Sequence, residues 1–270
     1  MRGSGYNRYP ELFCFPNSIG RFNTLFTGLY FAGQLGRNTI SVNFISLLSV
    51  RKMRSEWGTV KLETNAEFRA NPWYLLFWPV FGLRYLLIEH FHPTGGYHVV
   101  WCALDDRIPF LEWFVVPYVL WYIFLIGSHL WLYRRNDPAY RQYSIYLMVS
   151  MAISSAIFLL YPTCQNLRPA VFPRENWMTE LVMALYQMDT NTNVCPSEHV
   201  IGSAGFFFAV SHSNGAGRKC RMAVGIAALL TAIATVFLKQ HSVVDVAAAL
   251  PVCAVAYAAA FCPAGEEKRA

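Results

Sequence analysis

From about residue 73 onward the chain alternates long apolar runs with short polar blocks, and the apolar runs have helical rather than strand length. About 20 residues cross a bilayer core as a helix, and packed helices in a polytopic protein tolerate fewer. The pattern predicts six spans: Trp73–Ile88, Trp113–Tyr133, Tyr143–Tyr161, His199–Ser211, Met222–Leu238 and Val243–Cys262. The fourth is short and reads equally as a buried half-length helix. Gly and Ala crowd the last two spans, which predicts close helix packing there. Residues 1–52 are different. Their apolar stretch from Phe22 to Val50 is broken by Arg37, Asn38 and Asn43, so it reads as an N-terminal extension or tail, with a six-span membrane domain over 53–270.

Composition supports the membrane assignment. The chain is 55% hydrophobic and only 14% charged, against roughly 25% charged in average globular proteins. The net charge of +6 sits in short basic blocks between apolar runs. No nucleic-acid-binding signature accompanies it. The seven cysteines show no zinc-type spacing. Cys164 and Cys195 can pair across an oxidising face, or remain free thiols that act as small apolar residues.

Loop charge then orients the spans. Arg51, Lys52, Arg54, Lys61 and Arg69 precede span one; Arg134, Arg135 and Arg141 follow span two; Arg218, Lys219 and Arg221 follow span four. Short basic loops stay cytoplasmic. Both termini are therefore expected on the cytoplasmic side, in a bacterial cytoplasmic membrane. The intervening loops, and every polar island with chemical potential, fall on the extracytoplasmic side.

Three such islands exist: Leu167-Arg168-Pro169, Cys195-Pro196-Ser197-Glu198-His199, and Lys239-Gln240-His241 running on to Asp245. His241 and Asp245 share one helical face a turn apart. A carboxylate on one ring nitrogen fixes the tautomer and leaves the other nitrogen as a nucleophile. On spacing alone the pair equally caps the last span. His199 follows a proline and a serine suited to a helix start, where free amides and the dipole attract a phosphate oxygen. It reads as a general acid, or as an interfacial residue beside a cap. Arg168 and Lys239 suit phosphate clamping, although lone basic residues near an interface usually snorkel. Glu198 reads as solvated, and Asp105-Asp106 as an interfacial turn before span two. His90, His92, His98, His129 and His212 have no comparable partners, and their spacing fits no compact metal-ligand set.

With these residues in place the chain resembles the type 2 phosphatidic acid phosphatase (PAP2) superfamily, whose helical fold is shared with vanadium haloperoxidases. Arg168-Pro169 matches the end of a Lys-x6-Arg-Pro motif, and Pro196-Ser197-Glu198-His199 a complete Pro-Ser-x-His motif. His241-x3-Asp245 matches the end of a Ser-Arg-x5-His-x3-Asp motif. The likeness covers roughly residues 71–262, including Asp106-Arg107-Ile108-Pro109-Phe110. Two cations of the pattern are replaced: the first-motif lysine falls at Tyr161 and the third-motif Ser-Arg at Ala234-Thr235. This departure resembles the branch that includes inositol phosphorylceramide synthases.

The resemblance implies an all-α membrane enzyme acting on a lipid phosphate or pyrophosphate through a phosphohistidine. His241 would be the nucleophile, Asp245 its orienting partner and His199 the acid and base. Arg168, Lys239 and Ser197 would hold phosphoryl oxygens, without a metal or other cofactor. Water as acceptor makes a phosphatase, and a lipid or polyol hydroxyl makes a phosphotransferase. A non-catalytic membrane protein or transporter retaining a relic pocket is the alternative from another class.

Overall fold

The computed structural model describes residues 69–91 and 96–262. The expected extension over 1–52, most of the basic segment before the first span, His92 and the C-terminal residues 263–270 lie outside them. The described chain is mostly helical. A 3-10 turn, Pro72–Leu76, leads into α1 (Phe77–Phe91). A second, Glu112–Phe114, leads into α2 (Val115–Arg134), which is followed by α3 (Ala139–Leu160), α4 (Trp177–Met188), α5 (Glu198–His212), α6 (Arg218–Phe237) and α7 (Val243–Phe261). Two two-residue strands, β1 (His98–Val99) and β2 (Thr163–Cys164), pair in parallel and tie the loop after α1 to the loop after α3.

Among the described residues, four helices are long and apolar enough to cross a membrane: Glu112–Arg134, Ala139–Leu160, Arg218–Phe237 and Val243–Phe261. These match the expected spans two, three, five and six to within one residue at their C-terminal ends. The apolar stretch Pro72–Ile88 is shorter, and α5 has 15 residues. Both α3 and α6 begin a turn earlier than hydropathy alone indicates, because Arg141 and the basic cluster Arg218–Arg221 are helical rather than part of the loops.

Burial explains how α5 can be so short. It packs against α2, α3, α6 and α7, and Val200, Ile201, Gly202, Gly205, Ala209 and Val210 are buried. Its length answers to its neighbours rather than to the bilayer. Two glycines let those neighbours approach. A Cβ at Gly202 would lie 2.8 Å from the Trp121 ring, and one at Gly205 would run into Tyr146. Tyr146 has no room to yield, since it is fully buried and its hydroxyl donates to the Ile201 carbonyl at 3.0 Å. Gly205→Ala is therefore expected to destabilise the protein by about 1–3 kcal/mol through overpacking, outweighing the ~1 kcal/mol that alanine gains in helix propensity. A thermal unfolding midpoint in detergent equal to or above wild type would show that the ring can shift.

The segment between α3 and α5, expected as loop, contains α4. Asn176 caps it by accepting from the Met178 and Thr179 amides, and Thr179, Val182 and Leu185 form its buried stripe. Arg174 and the buried Glu112 hold its start through two bonds of 2.6 and 2.7 Å. At 12 residues it is amphipathic and covers the helix ends.

Candidate active site

The site forms where the first turns of α5 and α7 meet. The chain leaves α6 through a tight turn: the Lys239 amide donates to the Val236 carbonyl and the Gln240 amide to that of Thr235. This is the paired bonding of a Schellman ending. Lys239 occupies the left-handed position, with φ +56°, usually given to glycine. The turn delivers His241 to the start of α7. There Ser242 caps the helix by accepting from the Val244 amide, while Asp245 reaches back to the Ser242 amide at 2.8 Å.

Asp245 thus does two things with one oxygen. Its Oδ2 takes the Ser242 amide and also lies 3.3 Å from His241 Nδ1. The capping role and the histidine-orienting role, alternatives on spacing alone, coexist. The carboxylate is fully buried. The other ring nitrogen of His241, Nε2, lies 3.4 Å from His199 Nδ1, so the two imidazoles face each other across 42 residues of sequence. His199 is clasped by Trp121 and Tyr118, with ring centroids 4.3 and 4.4 Å away. Its Nε2 is buried without a hydrogen-bond partner and 3.8 Å from Asp189 Oδ2. Asp189 in turn accepts from the Tyr118 hydroxyl.

Ser197 is buried at the N-cap of α5. Its amide donates to the Asp245 carbonyl at 3.1 Å, which joins the two helix starts, and its hydroxyl has no partner. Cys195 is a free thiol, so it does not pair with Cys164. Burial and the nearby Asp245 carboxylate push its pKa up to about 12, which leaves it protonated and removes it as a competing nucleophile.

Both expected cation clamps are spent elsewhere. Lys239 Nζ donates to the carbonyls of Asp105 and Ile108 at 2.6 and 2.5 Å, and does not line the cavity beside the histidines. Burial lowers its pKa while Asp105 and Asp106 oppose that shift. Its role in the structure is to tie the α6–α7 turn to the loop before α2. Arg168 also stands behind the cavity wall. It stacks on Tyr186 and donates to the Tyr186 and Asp189 carbonyls and to Gln240 Oε1. Burial lowers its pKa and Asp189 counteracts this.

Two further readings need correction. Asp105 is more than an interfacial turn residue: it is buried, and its carboxylate accepts from the Ser242 hydroxyl at 2.6 Å, the Val243 amide at 2.9 Å and the Cys102 amide at 2.8 Å. It therefore braces the residue next to His241. Glu198 is not solvated either, since it pairs with Arg84 of α1 at 2.7 Å. His129 lies in the core, bridging Trp78 and Ser144.

The cavity is lined by His199, His241, Arg84, Glu198, Asp189 and Gln240, with Thr190, Thr192 and Asn193 on the same wall and Tyr85, Ile88 and Phe158 as apolar neighbours. Arg84, Asp189 and Asp105 were missed from sequence. A lone arginine inside an apolar helix was the available signal for the first. Asp189 and Asp105 had none, because each acquires its partners only through folding. Such a set can perform nucleophilic attack by one imidazole with proton transfer by the other. No protein-family model, curated protein or solved structure matches the chain.

Proposed function

We propose that the chain is a membrane phosphatase of the type 2 phosphatidic acid phosphatase kind, hydrolysing a lipid phosphate or pyrophosphate at the extracytoplasmic face. In this reading α5 and the apolar stretch over 72–88 complete a six-span bundle. The observation that carries it is the meeting of His241 Nε2 with His199 Nδ1 at 3.4 Å, with Asp245 on the far side of His241.

The chemistry follows from which His241 nitrogen is left unengaged by Asp245. Asp245 engages Nδ1, so Nε2 attacks phosphorus while the bond to the lipid oxygen breaks. Protonated His199 gives its proton to that departing oxygen, and Asp189 stabilises the imidazolium beforehand. Neutral His199 then takes a proton from water as the water oxygen attacks phosphorus and the N–P bond breaks. The start of α5, whose Glu198 and His199 line the cavity, offers its first-turn amides and dipole to the phosphoryl oxygens, with the buried Ser197 at its N-cap just behind them.

One observation favours phosphotransfer as a second reading. The Thr190, Thr192, Asn193 and Gln240 wall offers hydroxyl and amide groups to a hydroxylated acceptor. A panel of phosphatidic acid, phosphatidylglycerol phosphate and undecaprenyl pyrophosphate, assayed for phosphate release with EDTA present, tests the primary reading. Release from one of them supports the phosphatase. Transfer of labelled headgroup only after an alcohol is added supports the transferase. Neither activity from folded protein sinks both and leaves a relic pocket.

A further inference from the structure

Arg84 and Glu198 face the same cavity as the two histidines, yet they form an unusual ion pair. The arginine sits on α1, whose residues are otherwise mainly apolar, with only 12% of its side chain exposed. Its Nη1 donates to Ser155 at 3.1 Å and its Nη2 to one oxygen of Glu198 at 2.7 Å. Its Nε is buried without a hydrogen-bond partner. The same molecule contains a contrasting pair: Arg174 meets Glu112 side-on, Nε to Oε1 and Nη2 to Oε2. The Arg84 pair uses half of that edge. A guanidinium edge donates to two oxygens of a phosphoryl group in parallel, and at Arg84 one of those two donors is already without a partner.

We propose that Arg84 is the phosphoryl-binding cation of this cavity and that Glu198 is a displaceable placeholder on it. When a phosphoryl group arrives, two of its oxygens take Nε and Nη2, and Glu198 is released. The Glu198 side chain is 21% exposed and lies in the first turn of α5, where the helix dipole favours a negative charge. It therefore has somewhere to go. Once Glu198 leaves, Arg84 supplies the positive charge that Lys239 and Arg168 do not bring to the cavity, and while the site is empty the pair keeps a buried arginine partnered.

This inference rests on the phosphoryl-transfer reading, and its sign test separates it from a purely structural ion pair. If the pair only tethers α1 to α5, Arg84→Gln and Glu198→Gln break the same tether and act alike. If Glu198 competes with the ligand, they act oppositely. The experiment is competitive inhibition of lipid-phosphate hydrolysis by inorganic phosphate at low ionic strength. Arg84→Gln is expected to weaken inhibition by at least about tenfold, and Glu198→Gln to strengthen it severalfold. Parallel weakening in both variants, or no change in either, overturns the proposal. If Arg84→Gln does not fold, Glu198→Gln decides alone, because unchanged or weaker inhibition contradicts a placeholder. Should wild type hydrolyse no lipid phosphate, the catalytic reading fails separately, and calorimetric titration with inorganic phosphate applies the same test of sign.

Discussion

If His241 is the proposed phosphoryl nucleophile, replacing it with alanine is expected to reduce turnover of the lipid phosphate by at least about 1000-fold, the scale of loss when a covalent nucleophile is removed. The helical fold should survive, since Asp245 still accepts the Ser242 amide at 2.8 Å and the α7 cap does not depend on the imidazole. Removal of His199 should cost about 10²- to 10⁴-fold, the usual contribution of a general acid–base group. The double variant should fall little below His241→Ala, because residues acting as one unit are not additive. Steady-state phosphate release gives the magnitudes. An acid-labile phosphoprotein, trapped from wild type and absent from His241→Ala, gives the intermediate. More than a tenth of wild-type activity in His241→Ala would remove that residue as nucleophile.

Asp105→Ala is expected to give the largest loss of stability, about 3–5 kcal/mol, as when one partner of a buried charged network is deleted. Three donors lose their acceptor at once: the Ser242 hydroxyl and the Val243 and Cys102 amides. Two of these belong to the start of α7, so the damage reaches the turn that carries His241. In folded protein, kcat should fall more than KM changes, because His241 loses its brace rather than the cavity its shape. Asp105→Asn, which keeps one acceptor oxygen and the side-chain volume, should recover part of both effects. Denaturant or thermal unfolding in detergent provides the check. An unfolding midpoint for Asp105→Ala within error of wild type would mean that the loop and α7 hold together by other contacts.

These two predictions differ in how visible their residues were beforehand. His241 and Asp245 are four residues apart, and although His241 precedes the Ser242 cap and so lies outside α7, the local capping turn brings the pair together. The same holds for the Pro196-Ser197 start of α5 and for the four helices long enough to span, where run length alone is sufficient. Asp105 offered no such signal: it meets Ser242 across 137 residues, and a carboxylate in a polar turn looks the same whether it faces water or caps a distant helix.

The remaining differences share that origin. Hydropathy identified α5 as an apolar segment, but its central position among four helices depends on Gly202 and Gly205 admitting Trp121 and Tyr146. Lys239 was legible as a neighbour of His241, expected as a phosphate clamp, yet a long flexible side chain can point to either side of the turn. Two backbone carbonyls more than 130 residues upstream decided which. Arg84 was legible as an arginine in an apolar run, and its partner was not. The sequence by itself determined where the long apolar helices form and that His241 and Asp245 meet, because both are set by contacts within a few residues. Only the tertiary structure decided which cations reach the cavity and which buried charges meet, because desolvated groups must find partners wherever the packing brings them.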